Sequence, residues 1–294
     1  MLMSSPRRIA LVIIFVLLLG VGGFLFVSNR LKPPPPAVKE IKREIREVIG
    51  TSVEGRAIES YTYGNGEKHL LFVGGVHGGY EWNSVLLSYK FMDYLKANSL
   101  VLPPNIKVTV IPSLNPDGIY KVLGKEGRFG FDDITNISKT TSVLEKARFN
   151  ANDVDLNRNF DCKWKPESTW KSKKVSAGST AFSEPEAKAL RDFVLKNKSN
   201  LVATVFWHSQ AGAVYASECR DGILPVTFDI MNTYARASGY KAIKTFDSYE
   251  VTGDAEGYLT SLNIPAITVE LTTHNTVEWK ENLSGIKALF DYFR

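Results

Sequence analysis

Short apolar, β-rich runs alternate with amphipathic helical stretches through residues 45–294, and no other feature narrows the possible folds as far. His69–Val76, Lys107–Pro112, Val202–His208 and Ala266–Leu271 have the length and β-branched content of buried strands. Glu81–Ala97 and Glu184–Lys198 place Val85, Tyr89 and Met92, and Ala187, Leu190 and Val194, at helical spacing. Ser183 is the expected N-cap of the second helix, with Pro185 in its first turn. The alternation predicts an α/β fold, a sheet covered by helices on both faces, with functional residues gathered where strands end. A chain of 294 residues, 44% of them hydrophobic, can bury such a core. No internal repeat or second linker interrupts it, so 45–294 is expected to be one domain.

The N-terminal residues are of another kind. Following the short tail 1–8, Ile9 to Val27 runs nineteen residues without a charge, roughly 28 Å as a helix against a hydrocarbon core of about 30 Å. It is long for a signal peptide and no A-x-A site follows, so an uncleaved transmembrane anchor is expected. Arg7 and Arg8 face Arg30 and Lys32 across it, leaving the positive-inside bias nearly balanced. The expected location is a cell membrane, single-pass, with the catalytic body outside the cytoplasm. The tetraproline Pro33–Pro36 then favours an extended spacer within the linker 28–44. No large pro-segment fits between span and domain, so control by location is expected. Net charge is +5, which is mild, and no nucleic-acid partner is expected. Its densest basic patch, Lys163 to Lys174, holds Trp164 and Trp170; it reads as a solvated loop, or else as a contact for an anionic polymer. Cys162 and Cys219 are compatible with one bridge or with two separate buried thiols.

Two of the four histidines end expected strands: His77 follows Leu70–Val76 and His208 follows Val202–Trp207. Glu81 lies four residues after His77 at the start of a helix, and Gly78-Gly79 between them lets the backbone turn tightly. Two imidazoles and a carboxylate with one position open form a common catalytic zinc set. The competing reading of each histidine is a hydrogen-bonded structural residue at a strand end.

The company these residues keep is more specific. Ile49-Gly50-Thr51-Ser52-Val53-Glu54-Gly55-Arg56, Gly75-Val76-His77, Glu81-Trp82, Asn115-Pro116-Asp117-Gly118, Asp155-Leu156-Asn157-Arg158-Asn159-Phe160, Ser183-Glu184-Pro185-Glu186, His208-Ser209 and Thr268-Val269-Glu270-Leu271 occur in order. From about Ile49 to its end the chain resembles the zinc carboxypeptidases, which include carboxypeptidases A and B and bacterial murein-peptide amidases. The resemblance implies a mixed, twisted sheet between helices, one Zn2+ per chain held by His77, Glu81 and His208, and Asp155 orienting the His77 ring. It makes Glu270 the general base and acid, Arg148 the partner of the oxyanion, and Asn157 and Arg158 the grip on the substrate's free carboxylate. Without the motifs, surface ion pairing would be the preferred reading of both arginines.

Some positions depart from the family. The first two ligands are usually spaced H-x-x-E, whereas here Tyr80 stands where the glutamate would fall and Glu81 follows. Asp153 replaces a frequent glycine. The family's mobile tyrosine has Tyr249 nearest its place, one residue out of step, with Tyr258 as second choice. His274 follows Glu270 closely and could line the pocket, or be a loop residue with no role. In Gly253-Asp254-Ala255-Glu256-Gly257, the resemblance puts Ala255 against the substrate side chain, flanked by Asp254 and Glu256. Asp254 either favours an amine-bearing substrate end or caps the helix from Ala255 to Leu262; Glu256 would then favour that helix's positive end. The expected activity is removal of C-terminal residues from peptides. The alternatives are a murein-peptide amidase or DL-endopeptidase acting on cell-wall peptide, and a non-catalytic membrane-tethered binding module. A serine hydrolase has no G-x-S-x-G elbow to support it.

Overall fold

The computed structural model of the chain describes residues 44–98, 100–135 and 140–294. The expected anchor Ile9–Val27 and its proline spacer lie outside them. Among the described residues no helix is long and apolar enough to cross a membrane.

In chain order the strands and helices are β1 (Ile45–Thr51), β2 (Ala57–Gly64), β3 (Lys68–Val73), α1 (Trp82–Ala97), β4 (Ile106–Ile111), α2 (Pro116–Leu123), α3 (Phe131–Thr135) and α4 (Thr141–Lys146). There follow β5 (Glu167–Trp170), β6 (Lys173–Ser176), α5 (Pro185–Asn197), β7 (Leu201–Ser209), β8 (Ala213–Ala216), α6 (Pro225–Ser238), β9 (Lys241–Ile243), α7 (Ala255–Ser261), β10 (Ala266–Leu271) and α8 (Trp279–Phe293). Among the described residues eight strands form one mixed sheet in the order β1-β2-β4-β3-β7-β10-β8-β9. Its centre, β4-β3-β7-β10, is parallel; β1, β2 and β8 join antiparallel.

Strand alternation divides the core into two layers. Leu70 and Phe72, Val205 and Trp207, and Ile267, Val269 and Leu271 pack on one face with residues of α1, α6 and α8. Leu71 and Val73, Phe206 and Ala266 pack on the other with residues of α5 and α7. The layered α/β architecture expected from the sequence is therefore present, with helices on both faces. His208 and Glu270 are opposite each other in the parallel register of β7 and β10. Both have the parity of Phe206, so they share the α7 face at the carboxyl ends of neighbouring strands.

Several local expectations are corrected. β3 stops at Val73, not Val76, because Gly75 turns the chain with φ +63° and a Cβ on Gly74 would lie 2.4 Å from Ser88 Oγ. His77 therefore sits on a loop past the strand. Glu184, not Ser183, is the N-cap residue of α5, without a side-chain cap bond; the Ser183 hydroxyl donates instead to the Glu184 carboxylate at 2.7 Å. The basic stretch around Trp170 is no simple solvated loop, for β5 and β6 pair as an antiparallel hairpin and Trp170 is buried. Cys162 and Cys219 are joined in a disulfide.

Candidate metal centre

Gly78 lets the backbone double back after His77: its φ is +45°, and a Cβ there would meet Ala147 O and Gly118 Cα at 2.7 Å. The following 3-10 turn, Gly78–Glu81, leads into α1 and turns Glu81 back toward His77. His77 Nδ1 lies 2.8 Å from Glu81 Oε1, His208 Nδ1 lies 2.9 Å from Glu81 Oε2, and the two Nδ1 atoms are 3.1 Å apart. The far nitrogen of each ring faces a buried carboxylate, His77 Nε2 at 3.4 Å from Asp155 Oδ1 and His208 Nε2 at 3.1 Å from Glu256 Oε1. Neither Nε2 makes a hydrogen bond to its carboxylate; a ring proton held on Nε2, facing that carboxylate, would leave both Nδ1 lone pairs to converge on one point beside Glu81.

Such a donor set fits zinc, whose tetrahedral bonds of about 2.0–2.1 Å hold ligand atoms ~3.3 Å apart. Charge points the same way. Glu81, Asp155 and Glu256 are buried around the centre with Arg148 and Arg158, and a cation there would offset carboxylate charge held out of water. Burial alone would raise the Glu81 pKa, but the two imidazoles hold it below the usual carboxylate range. Burial would likewise lower His208, which Glu81 and Glu256 instead raise well above an ordinary histidine.

The centre opens into a cavity of about 560 Å³ whose lining includes Arg148, Asn157, Arg158, Tyr249, Glu256 and Glu270. Arg148 is buried, clamped on Asp155 Oδ2 through Nε at 2.9 Å and Nη2 at 2.8 Å, with Nη1 3.8 Å from Glu81. Its guanidinium lies 4.7 Å from the Trp170 ring centre. Arg158 spends Nη1 on Asn157 O and Nη2 on Thr169 O, while Nε is buried and unpartnered. Glu270 keeps Oε2 unpartnered, and desolvation together with the Glu81 charge pushes its pKa up to about 8.

The structure thus brings together His77, Glu81, His208, Asp155, Arg148, Asn157, Arg158, Glu270 and Tyr249, the last with its ring centre 6.0 Å from the Arg158 guanidinium. It does not bring Ala255 to the cavity: as first residue of α7 it is fully buried in the core, its N–H donating to Asn157 Oδ1 at 2.9 Å. Tyr258 also packs in the core, against Phe160 and Phe182. Asp254 reaches the cavity wall and caps α7, accepting from Gly257 N at 2.7 Å. Asp153 has φ +57°, the conformation expected where the family has glycine.

Tyr80, Trp170, Ser209, Thr268 and His274 also line the cavity. Trp170 and Tyr80 pack edge to face at 5.2 Å, and Tyr80 in turn meets His274 at 4.7 Å. Asn83 donates to Thr273 O and Thr276 O, so its oxygen must accept from Ser209 Oγ at 3.0 Å. Ser209 therefore accepts from His274 Nδ1 at 2.7 Å, which leaves the His274 Nε2 lone pair free. For Thr268 a signal was present: two residues before Glu270 on one strand, it faces the same side.

The sequence profile of the zinc carboxypeptidases matches residues 44–283. Among curated proteins, the chain is 26% identical over 242 residues to gamma-D-glutamyl-L-diamino acid endopeptidase 1 of Lysinibacillus sphaericus, covering 76% of this chain and 59% of that protein. It is 29% identical over 171 residues to carboxypeptidase B of Astacus astacus, covering 55% and 53%. The chain so spans little more than half the length of these relatives. Among solved structures, carboxypeptidase A from Helicoverpa armigera aligns with a TM-score of 0.64 at 20% identity, over 83% of this chain and 67% of that one. Murein-tripeptide amidase MpaA from Escherichia coli O157 aligns with 0.58 at 21%, over 87% and 96%. At those identities the structures speak for a shared fold. Because the profile match takes in every described strand of the sheet, the chain belongs to the zinc carboxypeptidase family.

Proposed function

We propose that the protein is a zinc-dependent metallocarboxypeptidase that hydrolyses the C-terminal bond of peptides. The observation that carries this reading is the convergence of His77 Nδ1, Glu81 and His208 Nδ1 beside Glu270, in a cavity that also holds Arg148 and Arg158. Zinc held by those three side chains supplies Lewis acidity, polarising a carbonyl and making a nearby water acidic. Glu270 takes the proton of the attacking water and returns it to the departing nitrogen. Arg148, locked on Asp155, meets the charge that develops on the carbonyl oxygen. Arg158 and Asn157 take the free α-carboxylate of the substrate, and Tyr249 closes over it. Asp155 keeps the His77 ring in the orientation that ligation needs.

The test compares peptides that carry a free or an amidated C-terminus, with and without chelator, and reads the products by mass spectrometry. Free peptides are expected to lose single C-terminal residues in a chelator-sensitive way, and amidated forms to be poor substrates. Equal rates on both forms would sink the exopeptidase reading. A second reading, amidase or endopeptidase action on cell-wall peptide, is favoured by the similarity to the Lysinibacillus endopeptidase over 76% of this chain. It expects γ-glutamyl-diaminopimelate peptides to be cut in preference. A non-catalytic binding module would show neither activity. For location, the apolar run Ile9–Val27 supports a single-pass anchor with the catalytic body outside the cytoplasm; recovery of the intact chain in a carbonate-washed supernatant would reject it.

A further inference from the structure

A metal-bound imidazole holds its orientation through whatever its other nitrogen touches. Asp155 answers that need for His77. For His208 the neighbour is Glu256, in the first turn of α7, whose Oε1 lies 3.1 Å from Nε2. Both side chains are only 3% exposed. The carboxylate is itself held from a third element, since Thr268 Oγ1 of β10 donates to the same Oε1 at 3.2 Å. Helix and strand together therefore hold one oxygen 3.1 Å from the ring nitrogen, a close charge contact in which neither His208 Nε2 nor Glu256 Oε2 has a hydrogen-bond partner before the ring is turned by ligation. A glutamate present only to favour a helix N-terminus would stay in solvent, because burying a carboxylate away from cations is costly.

We propose that Glu256 is the positioning residue of His208: it fixes the proton on Nε2, turns Nδ1 toward the metal position, and strengthens that nitrogen as a donor. This rests on the zinc-centre reading given above. The centre then has two carboxylate-braced imidazoles, supported from separate parts of the fold: Asp155 at the turn leading into Leu156–Arg158, and Glu256 on α7.

The test measures zinc affinity by competition with a chromophoric chelator in wild type, Glu256→Gln, Glu256→Ala and Thr268→Val. Visible spectra of the cobalt-substituted proteins and unfolding of the chelated proteins are read alongside. Losing such a carboxylate is expected to weaken zinc about 10–100-fold. Alanine should cost more than glutamine, whose amide oxygen can accept from Nε2–H, and Thr268→Val should cost least. The cobalt bands should shift in both Glu256 variants while the chelated Gln variant unfolds like wild type. If Glu256→Ala does not fold, the Gln and Thr268→Val proteins decide. Zinc affinity and cobalt spectra unchanged from wild type would overturn the inference. So would an effect confined to KM for substrates ending in lysine, since Glu256 would then be a wall of the substrate pocket. A wild type that bound no zinc would instead bring down the metal reading, and this inference with it.

Discussion

Glu270 lies at the cavity wall with one oxygen unpartnered and a raised proton affinity. The replacement Glu270→Gln keeps the shape and removes the proton acceptor. Zinc content should be unchanged and turnover should fall about 10²–10⁴-fold; a zinc-loaded variant within about tenfold of wild type would rule Glu270 out as the base. His69 shows the opposite use of burial. Its ring packs beside Phe193 with Nε2 2.8 Å from Thr109 Oγ1, and burial pushes its pKa down to about 3. The folded state thus keeps the ring neutral, whereas the unfolded chain binds a proton below about 6.5. Stability contributed by the neutral ring is complete above that pH and lost as pH falls from about 6.5 toward 3. By pH 4.5 the loss is about 3 kcal/mol. Denaturant unfolding of the chelated proteins at pH 7 and 4.5 should show a shallower acid loss in His69→Gln; equal losses would reject the assignment.

At the scale of elements, the motifs found in the sequence turn out to be latches as often as site residues. Asp117, in the first turn of α2, accepts from Ser52 Oγ at 2.6 Å, Glu54 N at 3.1 Å and Arg56 Nη1 at 2.7 Å, tying the β1–β2 turn to that helix. Glu186 of α5 accepts from Val53 N and from Asn150 Nδ2, each at 3.1 Å, which anchors the segment between Arg148 and Asp155. The helix cap at Asp254 was legible because Asp immediately before a helical run has one common use. Ser183 is the better capping side chain by residue type, but the backbone path puts Glu184, which makes no side-chain cap bond, in the N-cap place of α5. Asp254→Ala should therefore lower stability by about 1 kcal/mol. Asp254→Asn, which still caps, should leave stability nearly intact. It should also leave unchanged the relative rates on peptides ending in Lys, Leu and Glu; a collapse of lysine preference in that variant would show the carboxylate acting on substrate.

For the whole molecule, the Cys162–Cys219 bridge closes a loop 57 residues in sequence and fastens the segment after Phe160 to the chain leaving β8. Chain-entropy reasoning gives such a loop about 4 kcal/mol. Replacing both cysteines by serine should lower the urea midpoint accordingly; an unchanged midpoint would mean that the unfolded chain is no freer without the bridge. The sequence by itself determined the α/β class, the central strands and most of the site, because strand period, helix spacing and glycine turns are local properties and the ordered motifs leave few ways to arrange them. Strand ends and a glycine turn singled out His77, Glu81 and His208 as a candidate set, and the resemblance carried by the ordered motifs added Glu270, even with the extra Tyr80. Only the tertiary structure decided between one bridge and two thiols. It alone buried Ala255 rather than exposing it, and brought Glu256 against His208. The last two depend on how α7 and β10 dock beside β7, with Glu256 48 residues from His208, and the bridge joins positions 57 apart; contacts at such separations follow from packing of the whole sheet rather than from any local pattern.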